Sequence, residues 1–143
     1  MGILSNSDPF LIIAPHKKVP PGTNGGVTLM GFAWSAFGGF VIGIATLLLD
    51  SISGIQLRIF EMIVFSSICG LIGSIFDSFL GALLQATYYD IEKKLVYCSS
   101  KDIPRDATLL CGFNLLTNAQ VNLVSVLMTT FVGGYCLGPL IFQ

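Results

Sequence analysis

Residues 62–85 read MIVFSSICGLIGSIFDSFLGALLQ, an apolar run broken by a single charge, Asp77. At ~1.5 Å per residue, a helix of this length reaches about 36 Å, enough to cross a hydrocarbon core of about 30 Å with some tilt. A buried strand or core helix of a soluble fold rarely stays uncharged for so long, so length decides for a membrane span. Two further runs flank it. Val19 to Leu49 carries no charge, and Pro9, Pro15, Pro20 and Pro21 block a helix before Gly26. Ala119 to Phe142 is also uncharged. The expected fold is therefore an all-α integral membrane domain over 1–143, with transmembrane helices at 26–49, 62–85 and 119–142.

Composition agrees. Of 143 residues, 53% are hydrophobic and 10% charged, whereas a soluble domain carries roughly 25% charge. So few charges cannot coat a water-facing surface, which makes the lipid bilayer the expected partner. The net charge of −1 and the absence of a basic run give no sign of nucleic acid binding. Cys69, Cys98, Cys111 and Cys136 form no C-x-x-C pair, so neither a zinc site nor a redox motif is indicated. Met1-Gly2 lacks the Ser or Thr at position 6 that myristoylation wants, since Asn6 stands there.

Three spans put the N-terminus and the hydrophilic 88–106 loop on one side. That side holds Lys17, Lys18, Lys93, Lys94, Lys101 and Arg105, against Arg58 alone on the other. The bias predicts a cytoplasmic N-terminus, or its organellar equivalent.

In lipid, helices associate by close backbone approach and interhelical hydrogen bonds. Gly31, Ser35, Gly39 and Gly43 recur every four residues in the first span. Gly70, Gly73, Ser74, Asp77, Ser78, Gly81 and Gln85 do so in the second, and Asn118, Asn122, Ser125, Thr129 and Gly133 in the third. The three stripes are expected to meet inside one bundle.

Asp77 is the most informative single residue. A carboxylate within an apolar span costs several kcal/mol unless paired, hydrated or protonated. It reads as a proton, cation or metal–phosphate site, or else as a structural carboxylate held by Ser74, Ser78 or an Asn of the third span. A second candidate is Gly22-Thr23-Asn24-Gly25-Gly26, entering the first helix behind Lys17 and Lys18. Glycines at a helix entry leave backbone N–H groups for an anion, although such entries also serve close packing alone. No Gly-Lys-Ser/Thr follows, so it is not a P-loop. Asn24, Gln85, Asn118 and Asn122 are expected near one membrane face with Asp77 deeper, a pocket suited to a charged head and an apolar tail. His16, the lone histidine, reads as a solvated loop residue.

Three stretches together resemble the transmembrane protein 19 family of integral membrane proteins: Val19-Pro20-Pro21-Gly22-Thr23-Asn24-Gly25-Gly26-Val27-Thr28, residues 70–85 from Gly70 to Gln85, and Asn118-Ala119-Gln120-Val121-Asn122-Leu123. They occur in the family's order and with similar spacing. The family includes a plant phytyl phosphate kinase, so the resemblance implies phosphoryl transfer to an isoprenoid phosphate, with Mg2+ and a nucleoside triphosphate. Asn24, Gly25 and Gly26 would then touch phosphate and Asp77 would hold the metal. A non-enzymatic membrane protein, transporter-like or structural, is the alternative. Family members carry further helices upstream, ending in an Asp-Thr-x-Ala-Ser-Glu stretch. The resemblance therefore implies that this chain corresponds to a C-terminal part, with upstream helices or oligomer partners beside it.

Overall fold

The computed structural model describes residues 8–54, 58–98 and 103–143. Lys101 of the charge count and the Met1-Gly2 and Asn6 positions lie outside these.

Three helices are long and apolar enough to cross a membrane: Leu29–Ile52, Ile59–Leu84 and Asn118–Ile141. We call the first two α1 and α2. The third comprises α3 (Asn118–Val132), a π-helical turn at Gly133–Leu137 and a final turn α4 (Gly138–Ile141). Local chemistry sets their starts. Thr28 caps α1 by accepting the Gly31 N–H, so α1 begins three residues later than the expected Gly26. Thr117 and Gln120 form a reciprocal capping box for α3. The outer faces are apolar and uncovered: Ile52 is 85% exposed and Leu29 78%. Such surface is stable only against lipid.

The structure is not purely helical, which corrects the all-α expectation. Strands β1 (Phe10–Leu11), β2 (Ala14–Lys18) and β3 (Gly26–Val27) form one antiparallel sheet ordered β2-β1-β3. Strands β4 (Thr87–Asp90), β5 (Leu95–Tyr97) and β6 (Thr108–Cys111) form another, ordered β5-β4-β6. The strands are two to five residues long, too short for a periodic hydrophobic signal. β4 and β5 occupy much of the segment expected to be a plain hydrophilic loop. Asp90 organises their turn, its Oδ1 accepting the N–H groups of Glu92 and Lys93 at 3.0 Å each.

Both sheets lie at the same end of the helices, before α1 and between α2 and α3. They are stitched into one cap. Leu11, Val19 and Cys111 bury against Ala82 near the end of α2. The Ile12 N–H donates to the Gly25 carbonyl at 2.9 Å, and the Lys17 Nζ donates to the Leu110 carbonyl at 3.4 Å. At the opposite end, Arg58 donates to the carbonyls of Phe142 (2.9 Å) and Gln143 (3.2 Å).

The expected single interior is replaced by a row. α2 packs on α1 along one side and on α3 along another, while α1 and α3 share no extended contact among the described residues. Gly39 sits against the backbone of Ser66 and Ser67, and Gly70 lies 2.7 Å from the Ser35 carbonyl when a Cβ is built on it. Only glycine allows that crossing. Gly31, the first member of the expected stripe, meets only its own Thr28 cap. The α2 stripe divides likewise: Ser66 and Gly70 serve α1, Gly73 faces Thr129 of α3, and Gly81 faces the Asn24–Gly25 loop. One helix with two neighbours needs two smooth faces, and a pattern read along one helix cannot say which neighbour each face meets.

Candidate functional site

The Asn24–Gly25 turn is pressed onto the last turns of α2. Gly25 adopts φ +72° and rests on Ala82 and on the Ser78 carbonyl. A Cβ there would lie 2.7 Å from both the Ala82 Cα and that oxygen. The left-handed conformation and the lack of a side chain are both required. β4 holds the turn from the other side. The fully buried Thr87 accepts the Asn24 backbone N–H at 3.2 Å, and the Cys111 thiol donates to the Asn24 carbonyl at 3.5 Å. The Cys98 thiol donates to the Gly22 carbonyl at 3.3 Å. Burial pushes both thiols above the ordinary range, partly offset by the Thr87 hydroxyl.

Held this way, the Asn24 side chain is next to Gly81, its Cβ 3.9 Å from where a Gly81 Cβ would stand. The Gln85 Oε1 covers the same glycine at 3.1 Å, and the Gly25 nitrogen approaches it at 3.6 Å. One helical turn deeper lies Asp77. Ser125 of α3 approaches its carboxylate, and one turn further a Cβ built on Gly73 would lie 3.3 Å from the Thr129 hydroxyl.

Two polar atoms here are buried and have no hydrogen-bond partner among the described residues: the Asn24 Nδ2 and the Asp77 Oδ1. One is a donor and the other an acceptor, about one turn or ~6 Å apart along the axis of α2. They do not satisfy each other. Unpaired buried polar groups are rare in native structures and each requires an explanation.

Not every expected site residue joins this cluster. The Gly26 N–H donates to the Thr23 carbonyl at 2.9 Å within its turn, so it is already engaged. Gly25 and Gly26 also precede the capped start of α1, and their amides are not first-turn helix amides. Asn118 and Asn122 are exposed. Ser78 contributes its carbonyl beneath Gly25, and Ser74 lines a groove between α2 and α3. Thr87, Cys98 and Cys111, which fix the turn, escaped sequence reading because pairing across β4 brings them there, and nothing in their local pattern announces it. Among the described residues no cluster of three or more His, Cys, Asp and Glu side chains could hold a metal ion. Asp77 is the carboxylate beside the Asn24 turn.

Comparison with known proteins places the chain. The profile of the family described as "Integral membrane protein DUF92" matches residues 1–130. The chain belongs to the DUF92 integral membrane family. Over 138 residues it is 33% identical to Protein PGR of Arabidopsis thaliana, covering 92% of this chain and 46% of that protein. The chain thus spans about half the length of that relative. No solved structure matches it. Three apolar helices and membership of this family make it a multi-pass membrane protein in contact with the bilayer.

Proposed function

We propose that the chain forms the head-group site of a membrane-embedded isoprenoid-phosphate kinase, of the transmembrane protein 19 type that includes the plant phytyl phosphate kinase. The supporting observation is the orphaned pair at the cap–membrane boundary, the Asn24 Nδ2 and the Asp77 Oδ1. A phosphate oxygen satisfies the amide, and a divalent cation on that phosphate satisfies the carboxylate.

The donor set suits Mg2+. That ion commonly takes one or two carboxylates, keeps several waters and uses substrate phosphates as further ligands. Asp77, with substrate phosphate and water as the further ligands, would fit such a shared site. Mg2+ supplies charge neutralisation for a nucleoside triphosphate and an acceptor phosphate. The protein's part is positioning: Asn24 orients an anionic oxygen, Asp77 anchors the cation, and the cap keeps the turn rigid. The same reading puts the cap, with Lys17, Lys18, Lys93, Lys94 and Arg105, on the cytoplasmic side or its organellar equivalent. It also seats further helices, from the remaining half of the relatives' length or from oligomer partners, beside the open face of the row.

The purified chain, alone and joined to the remaining half of its relatives' length, is assayed with nucleoside triphosphate, Mg2+ and phytyl or geranylgeranyl monophosphate. Diphosphate formation that Asp77→Asn abolishes while inserting normally is the expected result. No turnover with any such acceptor, or full activity in a well-inserted Asp77→Asn variant, defeats the reading. Transport driven by an ion or proton gradient would then favour the non-enzymatic alternative.

A further inference from the structure

A groove of about 550 Å3 runs between α2 and α3, lined by Phe65, Cys69, Gly73, Ser74, Thr130 and Gly134 among others. Resting on the head-site reading above, we propose that this groove holds the hydrocarbon tail of the ligand and that its far end, at the π-helical turn, limits tail length.

The groove adjoins the head site. Ser74 lies three residues before Asp77 on α2, and Ser125, which also lines the groove, is the residue that approaches the Asp77 carboxylate. A molecule with its head at Asp77 and Asn24 would run directly into it.

Its wall is apolar despite the hydroxyl residues. Ser125, Thr129 and Thr130 donate to carbonyls of their own helix, at Asn122 (3.0 Å), Ser125 (2.7 Å) and Val126 (2.9 Å). Their donors are spent there, as is usual for such residues in membrane helices. What else faces the groove is methyl groups, glycine backbone, the ring of Phe65, the thiol of Cys69 and, next to the head site, Ser74.

From Phe65 to Ser74 the α2 wall of the groove rises about 14 Å. The head-to-end distance, Asp77 to Phe65, is about 18 Å.

The far end is shaped by the π-helical turn. A Cβ on Gly133 would lie 3.2 Å from the Cys69 Sγ and 3.5 Å from the Phe65 ring, so that position is already filled. A Cβ on Gly134 meets nothing within 4 Å. A side chain placed at Gly134 therefore enters the groove without displacing backbone. Single π-type turns within α-helices are frequent at functional sites.

The experiment measures binding to the chain in phospholipid nanodiscs with three probes: a five-carbon prenyl monophosphate, geranylgeranyl monophosphate, and geranylgeraniol carrying a terminal diazirine. Gly134→Leu is expected to weaken the twenty-carbon phosphate at least tenfold and leave the five-carbon one unchanged. Val126→Trp, which obstructs the groove from α3, is expected to do the same if Gly134→Leu fails to insert. The diazirine is expected to label Phe65 or the 133–137 turn. Unchanged twenty-carbon affinity in both inserted variants, or labelling confined to α1, overturns the proposal. If neither phosphate binds, yet the alcohol labels the turn and loses that label in Gly134→Leu, the tail site stands and the head-site reading falls.

Discussion

Gly22 and Gly25 both adopt a left-handed conformation, with φ of +92° and +72°, but only Gly25 has neighbours. Replacing each by Ala separates conformational strain from close packing. A non-glycine residue in that region costs about 1–2 kcal/mol. Gly22→Ala incurs that alone, because its Cβ meets nothing within 4 Å. Gly25→Ala adds a Cβ against Ala82 and the Ser78 carbonyl, where the turn must lift off α2. Overpacking of that kind adds about 1–3 kcal/mol, for a total of roughly 2–5 kcal/mol. The reading comes from amide hydrogen exchange of the cap in nanodiscs, over Phe10–Leu11 and Thr87–Asp90. The two variants should differ by about 1–3 kcal/mol, or roughly 5- to 150-fold in protection. Equal protection in the two would mean that the turn does not rest on α2, and the site built around Asn24 would fall with it.

Gly39→Leu should destabilise the α1–α2 pair by about 1–3 kcal/mol or more through overpacking, while Gly38→Leu, whose Cβ meets nothing within 4 Å, should be close to neutral; thermal unfolding in nanodiscs compares them. Thr28→Ala removes the cap that accepts the Gly31 N–H and should cost about 1 kcal/mol, read as fraying of the first turn of α1 by hydrogen exchange. Cys98 is exposed by area yet its thiol is pushed up by desolvation, so maleimide labelling at neutral pH should be slower than for a free thiol. The rate should keep climbing through the alkaline range after a reference thiol has levelled off; labelling as fast as the reference at neutral pH would contradict the contact with Gly22. The same sign governs stability: the folded state prefers the neutral thiol, so this contribution is present below the ordinary thiol pKa and lost as pH rises through the raised one.

The membrane helices were legible because the signal for them is additive along the chain. Twenty-odd uncharged residues leave few alternatives, and Pro20 and Pro21 mark where α1 cannot yet have begun, although the Thr28 cap that sets its start went unread. The cap was not legible. β1 and β3 are two residues each, and what makes them strands is pairing with each other across the Gly22–Gly25 turn. The small-residue stripes announced close packing correctly at Gly39 and Gly70 but misassigned the geometry, because an i, i+4 series fixes a face and not a neighbour. Asp77 stood out by charge alone. Asn24 was named for its place beside glycines, on the expectation of helix-entry amides. The structure engages the Gly26 amide elsewhere and leaves the Asn24 side chain as the group still lacking a partner.

That side chain constrains the chemistry more than Asp77 does alone. A buried acceptor without a donor could be met by a proton, a water or a cation, and each would leave the Asn24 Nδ2 as it is. A buried donor without an acceptor calls for an oxygen, and an anion alone would be repelled by the carboxylate one turn away. Each unpaired group carries a penalty of about 1–3 kcal/mol, and something presenting an acceptor and a positive centre within a few ångströms relieves both at once. A zwitterionic head group does so, and a phosphate carrying a divalent ion does so more compactly. The groove beyond Ser74 separates these from the free ions and metabolites of the aqueous phase, since it continues the site into a mostly apolar wall. Under the proposed reading, head and groove together suit an amphiphile whose charged end bears both signs.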